Sequence, residues 1–180
     1  MNTTSPMHFS FLMMPEYTLS AFSNAIGILR MANRLSMRKL YSWSIHSLDG
    51  NPVTSSAGLK LAIDGSLDDA KFTNILMICG GYSIKKYCTK DLIEGLRRIS
   101  KRKIPLGGIC TGTYALASAG LMDGYRCTIH WENIASFREE YPGLDISSGL
   151  FVIDRDRYTC SGGISSIDLF LHLVATIHGH

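Results

Sequence analysis

The chain has 180 residues, 46% of them hydrophobic and 18% charged, which describes one folded domain able to bury a substantial core. A net charge of +3 excludes the strong basic footprint of a chain that grips a nucleic-acid backbone by itself, and five cysteines at 79, 88, 110, 127 and 160 without CxxC spacing exclude a disulfide framework and a zinc site. No apolar run reaches the ~18 residues of a membrane span, and "MNTTSPMHF" lacks the basic start of a signal peptide, so the expectation is a cytoplasmic protein with reduced thiols and no membrane partner.

In chain order, strand and helix alternate. "HFSFLMM" (8–14) is a short apolar strand closed by Pro15, and Leu19, Phe22, Ile26, Leu29 and Ala32 then recur at helical spacing behind a Thr18 cap. "LYSWSIHSL" (40–48) alternates with period two up to the turn Asp49-Gly50, and "GLKLAID" (58–64) can pair with it or extend it. "NILMICGG" (74–81) is a continuous apolar run of the kind buried on both faces of a parallel sheet, followed by the helix 89–103. "IPLGGIC" (104–110) and "TGTYALASAGLM" (111–122) repeat the unit; "RCTIH" (126–130) is a short strand and 131–141 a helix stopped by Pro142. "LFVIDRDRYTCS" (150–161) reads as a hairpin turning near Asp154 to Asp156, and 165–179 as a last amphipathic helix with a glycine cap. The pattern predicts an α/β doubly wound, mostly parallel sheet sandwiched by helices, with a small hairpin.

Ligands in such a sheet gather beyond the carboxyl ends of its strands, and three expected strand ends converge there. Cys110 sits between Gly108 and Gly112, a G-x-C-x-G at a strand-to-helix turn, which is the cysteine form of a nucleophile elbow. The helix opening at Thr111 offers amides and a dipole that lower a thiol's pKa. Gly80 and Gly81, with Tyr82 after them, offer amides to an anion, and His130 with Trp131 supplies the histidine that an activated thiol needs. Each has an ordinary reading beside it: a core thiol, a glycine turn, aromatics that fill space. Trp131, Tyr17 and Tyr82 together would make an aromatic box for a cation. "RRISKRK" (97–103) reads as a solvated helix end favoured by the dipole, and His172, His178 and His180 as structural. No metal and no cofactor is called for.

At these residues the chain resembles a known family. "GGICTGTYALASAGLMDGYRCTIHWENIASFREEYP", with "SGGISSIDLFLHLVATIHG" behind it, is similar to the amino-terminal domain of AraC-family regulators built on the ThiJ/PfpI, class I glutamine amidotransferase-like fold, and closest in look to those that sense glycine betaine, carnitine or arginine. The resemblance runs from about Phe9 to the end of the chain. It implies a flavodoxin-like sensor domain (1–180) that binds a small nitrogen metabolite through Gly80, Gly81, Tyr82, Cys110, Thr111, His130 and Trp131, forms a homodimer, and meets DNA only through a C-terminal helix-turn-helix domain beyond this chain. Enzymes resembling the same superfamily add an acidic residue from the first helix beside the thiol. That position falls at Ala21 here, and the next commonly acidic one at Gly27, so Cys110 and His130 are expected to be vestigial, with Glu16 the one carboxylate able to reach in from the loop. The alternative is a cysteine-dependent hydrolase, hydratase or glyoxalase.

Overall fold

The structure, a computed structural model, describes residues 5–179; His180 and the first four residues of "MNTTSPMHF" lie outside them. The chain runs β1 (Met7–Met13), α1 (Leu19–Ser36), β2 (Tyr41–Ser47), the antiparallel pair β3 (Val53–Thr54) and β4 (Lys60–Leu61), and β5 (Gly65–Ser66). Then follow β6 (Ile75–Cys79), α2 (Ile84–Tyr87), α3 (Lys90–Ser100), β7 (Leu106–Ile109) and α4 (Gly112–Ser118). The last part holds β8 (Arg126–Cys127), α5 (Ile134–Glu140), β9 (Asp145–Ile146), β10 (Phe151–Asp154), β11 (Arg157–Cys160) and α6 (Ser165–His178).

Seven strands form one sheet in the order β5-β2-β1-β6-β7-β11-β10, parallel at every neighbouring pair except the β10–β11 hairpin. The expected mostly parallel, helix-covered sheet is the observed one. Because strand side chains alternate faces, the unbroken apolar run of β6 serves two cores. Leu76 and Ile78 join Leu12 against α2, α3, α4 and α5, while Ile75, Met77 and Cys79 join Phe9, Phe11 and Met13 against α1 and α6. On the second face Phe170 of α6 stands 5.7 Å from the Phe9 ring and 6.1 Å from Phe11, and each such fully buried side chain contributes about 1.5–3 kcal/mol.

The departures from expectation are local. "RCTIH" pairs only over Arg126–Cys127, because Thr128 turns its amide to the Thr159 hydroxyl at 3.0 Å and His130 turns its own to Cys110 O at 3.3 Å. The helix expected over 131–141 begins as a 3-10 turn, Trp131–Asn133, before α5. The basic run is tied to the fold: Arg98 pairs with Asp68 at 2.8 Å, Arg97 donates to Ala119 O at 2.9 Å, and Arg102 donates to Ala70 O and Lys71 O. Among the described residues no helix is long and apolar enough to cross a membrane.

Candidate functional site

At the carboxyl end of β7 the chain must leave the sheet and enter α4 within a few residues. Cys110 does this at φ 61°, the left-handed region a non-glycine residue rarely adopts. It is held there from both sides, its amide donating to Cys160 O at 3.0 Å and its carbonyl accepting from His130 N at 3.3 Å. The glycine that follows lets α4 start against the sheet, since a Cβ at Gly112 would collide with Ile78 O. The nucleophile-elbow geometry expected from G-x-C-x-G is therefore present.

Burial works against activation of the thiol on that elbow. Cys110 is 4% exposed, and burial pushes its pKa above the ordinary thiol value. The Thr18 hydroxyl, 3.5 Å from Sγ, and the Thr111 amide pull the other way without reversing it, and the nearby Glu132 charge adds to the rise. This corrects the expectation that the helix dipole lowers the pKa: α4 has seven residues, and desolvation of a buried thiolate outweighs a dipole of that length. Thr18, expected to cap α1, makes no side-chain cap bond and faces the thiol instead. The position beside the thiol, expected at Ala21, is held by Thr18: Ala21 lies in the core beside Phe22, and a hydroxyl rather than a carboxylate meets Sγ.

A cleft of about 530 Å³ opens over the elbow. Six of the seven expected residues line it: Gly81, Tyr82, Cys110, Thr111, His130 and Trp131. Gly80 does not. Its amide donates to Ile109 O at 3.1 Å, so the anion-donor reading of Gly80 gives way to a packing role behind the cleft wall. Thr111 donates its hydroxyl to Gly81 O at 2.7 Å, tying the two strand ends together. His130 turns Nδ1 toward Glu132 Oε2 at 3.7 Å, and its ring makes no hydrogen bond to the thiol. Of the expected aromatic box, Tyr82 and Trp131 stand exposed at 86% and 68%, but Tyr17 is buried edge-on against Phe22 at 5.9 Å and takes no part.

Glu16 does not reach the thiol either. It lines a second cavity of about 790 Å³, between the turn after β1 and the loop after β2, which shares Ser56 and Tyr82 with the cleft. No periodic pattern marks this cavity in the sequence: Pro15 and Asp49-Gly50 read only as punctuation. Among the described residues no cluster of three His, Cys, Asp or Glu side chains converges as a metal site.

A buried cysteine elbow on a parallel sheet with helices on both faces meets its counterpart in sequence, where the DJ-1/PfpI family model matches residues 23–176. The chain belongs to the DJ-1/PfpI family. Within that family this domain is 41% identical over 175 residues to the HTH-type transcriptional regulator GbdR of Pseudomonas aeruginosa, and 42% identical over 171 residues to the HTH-type transcriptional regulator CdhR of the same species. The alignments cover 97% and 95% of this chain but 48% and 51% of those proteins, so the chain spans about half the length of the curated relatives it matches. The crystal structure of an AraC family transcriptional regulator from Pseudomonas putida superposes on this DJ-1/PfpI domain with a TM-score of 0.87 at 30% identity, covering 97% of this chain and 94% of that one. The relatives that resemble it this strongly are transcriptional regulators.

Proposed function

We propose that this DJ-1/PfpI domain is the cytoplasmic ligand-sensing part of an AraC-family transcriptional regulator, and that its effector, a small nitrogen metabolite of betaine or amino-acid type, binds in the Cys110 cleft. The observation that carries this reading is an elbow kept in full geometry around a buried thiol whose pKa burial raises, with the Thr18 hydroxyl rather than a carboxylate beside Sγ. Such a turn has lost the means to attack a substrate and kept a shaped pocket. In it the Thr111 and Gly81 region faces a ligand carboxylate, and the exposed Trp131 and Tyr82 rings face its ammonium group. A homodimer and a C-terminal helix-turn-helix domain complete the reading, since paired DNA half-sites match a twofold protein.

Calorimetric titration with glycine betaine, carnitine and arginine tests it: one of them binds, and Trp131→Ala and Cys110→Trp each abolish or strongly weaken that binding. Binding unchanged in both variants places the effector elsewhere. The alternative, a cysteine-dependent hydrolase, hydratase or glyoxalase, draws on the retained φ of 61° at Cys110. It requires turnover of methylglyoxal, an isonitrile or a peptide that disappears in Cys110→Ala, together with fast alkylation below neutral pH.

A further inference from the structure

The period-two alternation of β2 puts Tyr41, Trp43 and Ile45 into the core under α1 and α6, and Ser42, Ser44 and His46 on the opposite face of the sheet. Beside them on β1, in register, stand His8 against Ser42, Ser10 against Ser44 and Leu12 against His46. The polar side chains form one continuous line. His8 Nδ1 lies 2.8 Å from Ser42 Oγ and His8 Nε2 2.8 Å from Ser44 Oγ. Ser44 Oγ lies 2.7 Å from His46 Nε2, and His46 Nδ1 2.9 Å from Ser66 O of β5. Ser10 Oγ meets Ser44 Oγ from the side at 3.3 Å.

One end of this line fixes every proton in it. A carbonyl oxygen only accepts, so neutral His46 carries its proton on Nδ1 and presents a bare Nε2. That nitrogen takes the Ser44 hydroxyl proton, so the Ser44 oxygen accepts from His8 Nε2–H and from the Ser10 hydroxyl. His8 Nδ1 is then bare and accepts from Ser42. With both rings neutral each has a single tautomer, and the donors all point from Ser42 toward β5.

The two rings differ in what an added proton disturbs. At His8 Nδ1 it turns only the Ser42 hydroxyl, which is half-buried and finds water. At His46 Nε2 it turns Ser44 onto Ser10, which is fully buried and has no other side-chain partner for its hydroxyl among the described residues, so a hydroxyl proton is stranded. The charged and titratable groups around His8 are His46 on β2, Asp64 just before β5, whose carboxylate accepts from Ile45 N at 2.8 Å, and Lys39 ahead of β2. Burial first, then His46 and Lys39, hold the His8 pKa below the ordinary histidine value of 6.5, and Asp64 opposes them.

We infer that this line is an acid sensor built into the sheet edge: on acidification one proton enters at His8 Nδ1, reverses the Ser42 hydroxyl and places a positive charge between β1 and β2, while His46 keeps its bare Nε2. The folded ring takes up that proton less readily than the unfolded chain does. The contribution of His8 to stability is therefore complete above about pH 6.5 and is lost as the pH falls from there through the lower folded value. The response needs no ligand, and none of its residues lines the Cys110 cleft, so it stands apart from the effector reading.

Long-range proton–nitrogen correlation spectra of the 180-residue chain, labelled with nitrogen-15, read the protons of each ring directly. At about pH 8 His46 Nδ1 and His8 Nε2 should carry protons and the other two nitrogens be bare. On lowering the pH to about 5, His8 should become doubly protonated with a midpoint below 6.5, before His46 changes. Either ring in the opposite tautomer at the higher pH, or a first proton taken by His46, overturns the proposal with no variant needed. Urea unfolding over the same range is the second readout. The unfolding equilibrium constant should rise as the pH falls below about 6.5. His8→Gln, whose amide can still donate to Ser44 but does not titrate, should remove up to ~10-fold of that rise per pH unit. The same pH dependence in a folded His8→Gln overturns the link between this line and stability.

Discussion

Two turns of this protein do the same thing by different means. After β1 the chain passes through Glu16, and after β7 through Cys110, both non-glycine residues at φ 61° and both at the carboxyl ends of strands in the middle of the sheet. The Cys110 turn is enclosed: helix α4 packs behind it, and the thiol is buried and protonated. The Glu16 turn is gripped by backbone bonds from two loops, and one oxygen of its carboxylate is sealed from water without a hydrogen-bond partner. Backbone strain at a strand end thus marks where a side chain is being aimed, and the surroundings decide what that side chain can do. Burial raises the thiol's pKa, whereas at Glu16 it leaves a carboxylate oxygen without a partner.

The largest effects come from filling the space each turn depends on. A Cβ at Gly81 would collide with Glu16 O, and one at Gly112 with Ile78 O, backbone atoms that cannot swing aside. Gly81→Ala and Gly112→Ala should each cost about 3 kcal/mol or more in urea unfolding. The two differ in where the damage appears: Gly81→Ala should shift the backbone amide signals of Glu16 and Tyr17, and Gly112→Ala should leave those near their wild-type positions while raising alkylation of Cys110. Loss of less than about 1 kcal/mol in either would mean that its turn is not held as described.

A second effect follows from the buried thiols, Cys110 among them. Burial raises the pKa of Cys110; it raises those of Cys88 and Cys160 to about 11 and that of Cys127 to about 12. A thiol that keeps its proton when folded and loses it when unfolded contributes stability that is complete below the unfolded pKa, near 9.0. That stability is lost as pH climbs from there toward the folded value, because the unfolded state then binds fewer protons. Unfolding free energy should therefore fall above about pH 9, each such thiol adding at most ~1.4 kcal/mol per pH unit. Cys110→Ala should make the fall shallower by up to one thiol's share. An unchanged slope would mean that Cys110 ionises as readily folded as unfolded. The same protonation predicts that iodoacetamide alkylates Cys110 at pH 7 at least ~10-fold more slowly than free cysteine.

How much of this was legible in the sequence divides along the same line. The Cys110 turn could be read, because G-x-C-x-G between an apolar strand and a helical run is a local pattern with a local cause, and strand-end convergence in a doubly wound sheet then gathered Tyr82, Thr111, His130 and Trp131 around it. The thiol's pKa could not, because desolvation depends on everything packed above it, Gly162 included, whose Cβ position lies 2.6 Å from that of Cys110. Thr18 looked like a helix cap because its position before the apolar period is the same whether its hydroxyl turns to the helix or to a sulfur 92 residues away. Gly80 and Gly81 were alike in sequence and opposite in use, since the β6–β7 ladder takes one amide and leaves the next residue on the cleft wall. The Glu16 cavity had no sequence signature, being built from the segments after β1, β2 and β6, which meet only through the pairing of those strands.

The smallest predicted effect separates the two turns by sign. Glycine adopts a φ of 61° freely, so replacing either residue relieves left-handed strain of about 1–2 kcal/mol and gives back roughly 0.5–1 kcal/mol in unfolded-chain entropy. What remains depends on the side chain removed. At Glu16 the substitution also removes a buried acceptor with no partner, an orphan worth about 1–3 kcal/mol of penalty, so Glu16→Gly should stabilise the protein by about 1 kcal/mol. At Cys110 it removes a buried sulfur that fills space between α1, the β11–α6 turn and the elbow itself, so Cys110→Gly should be destabilising by about 1 kcal/mol. Urea midpoints at constant m-value read both changes. The same sign at both positions would remove the distinction between a turn whose side chain is satisfied by the fold and one whose side chain is left without a partner.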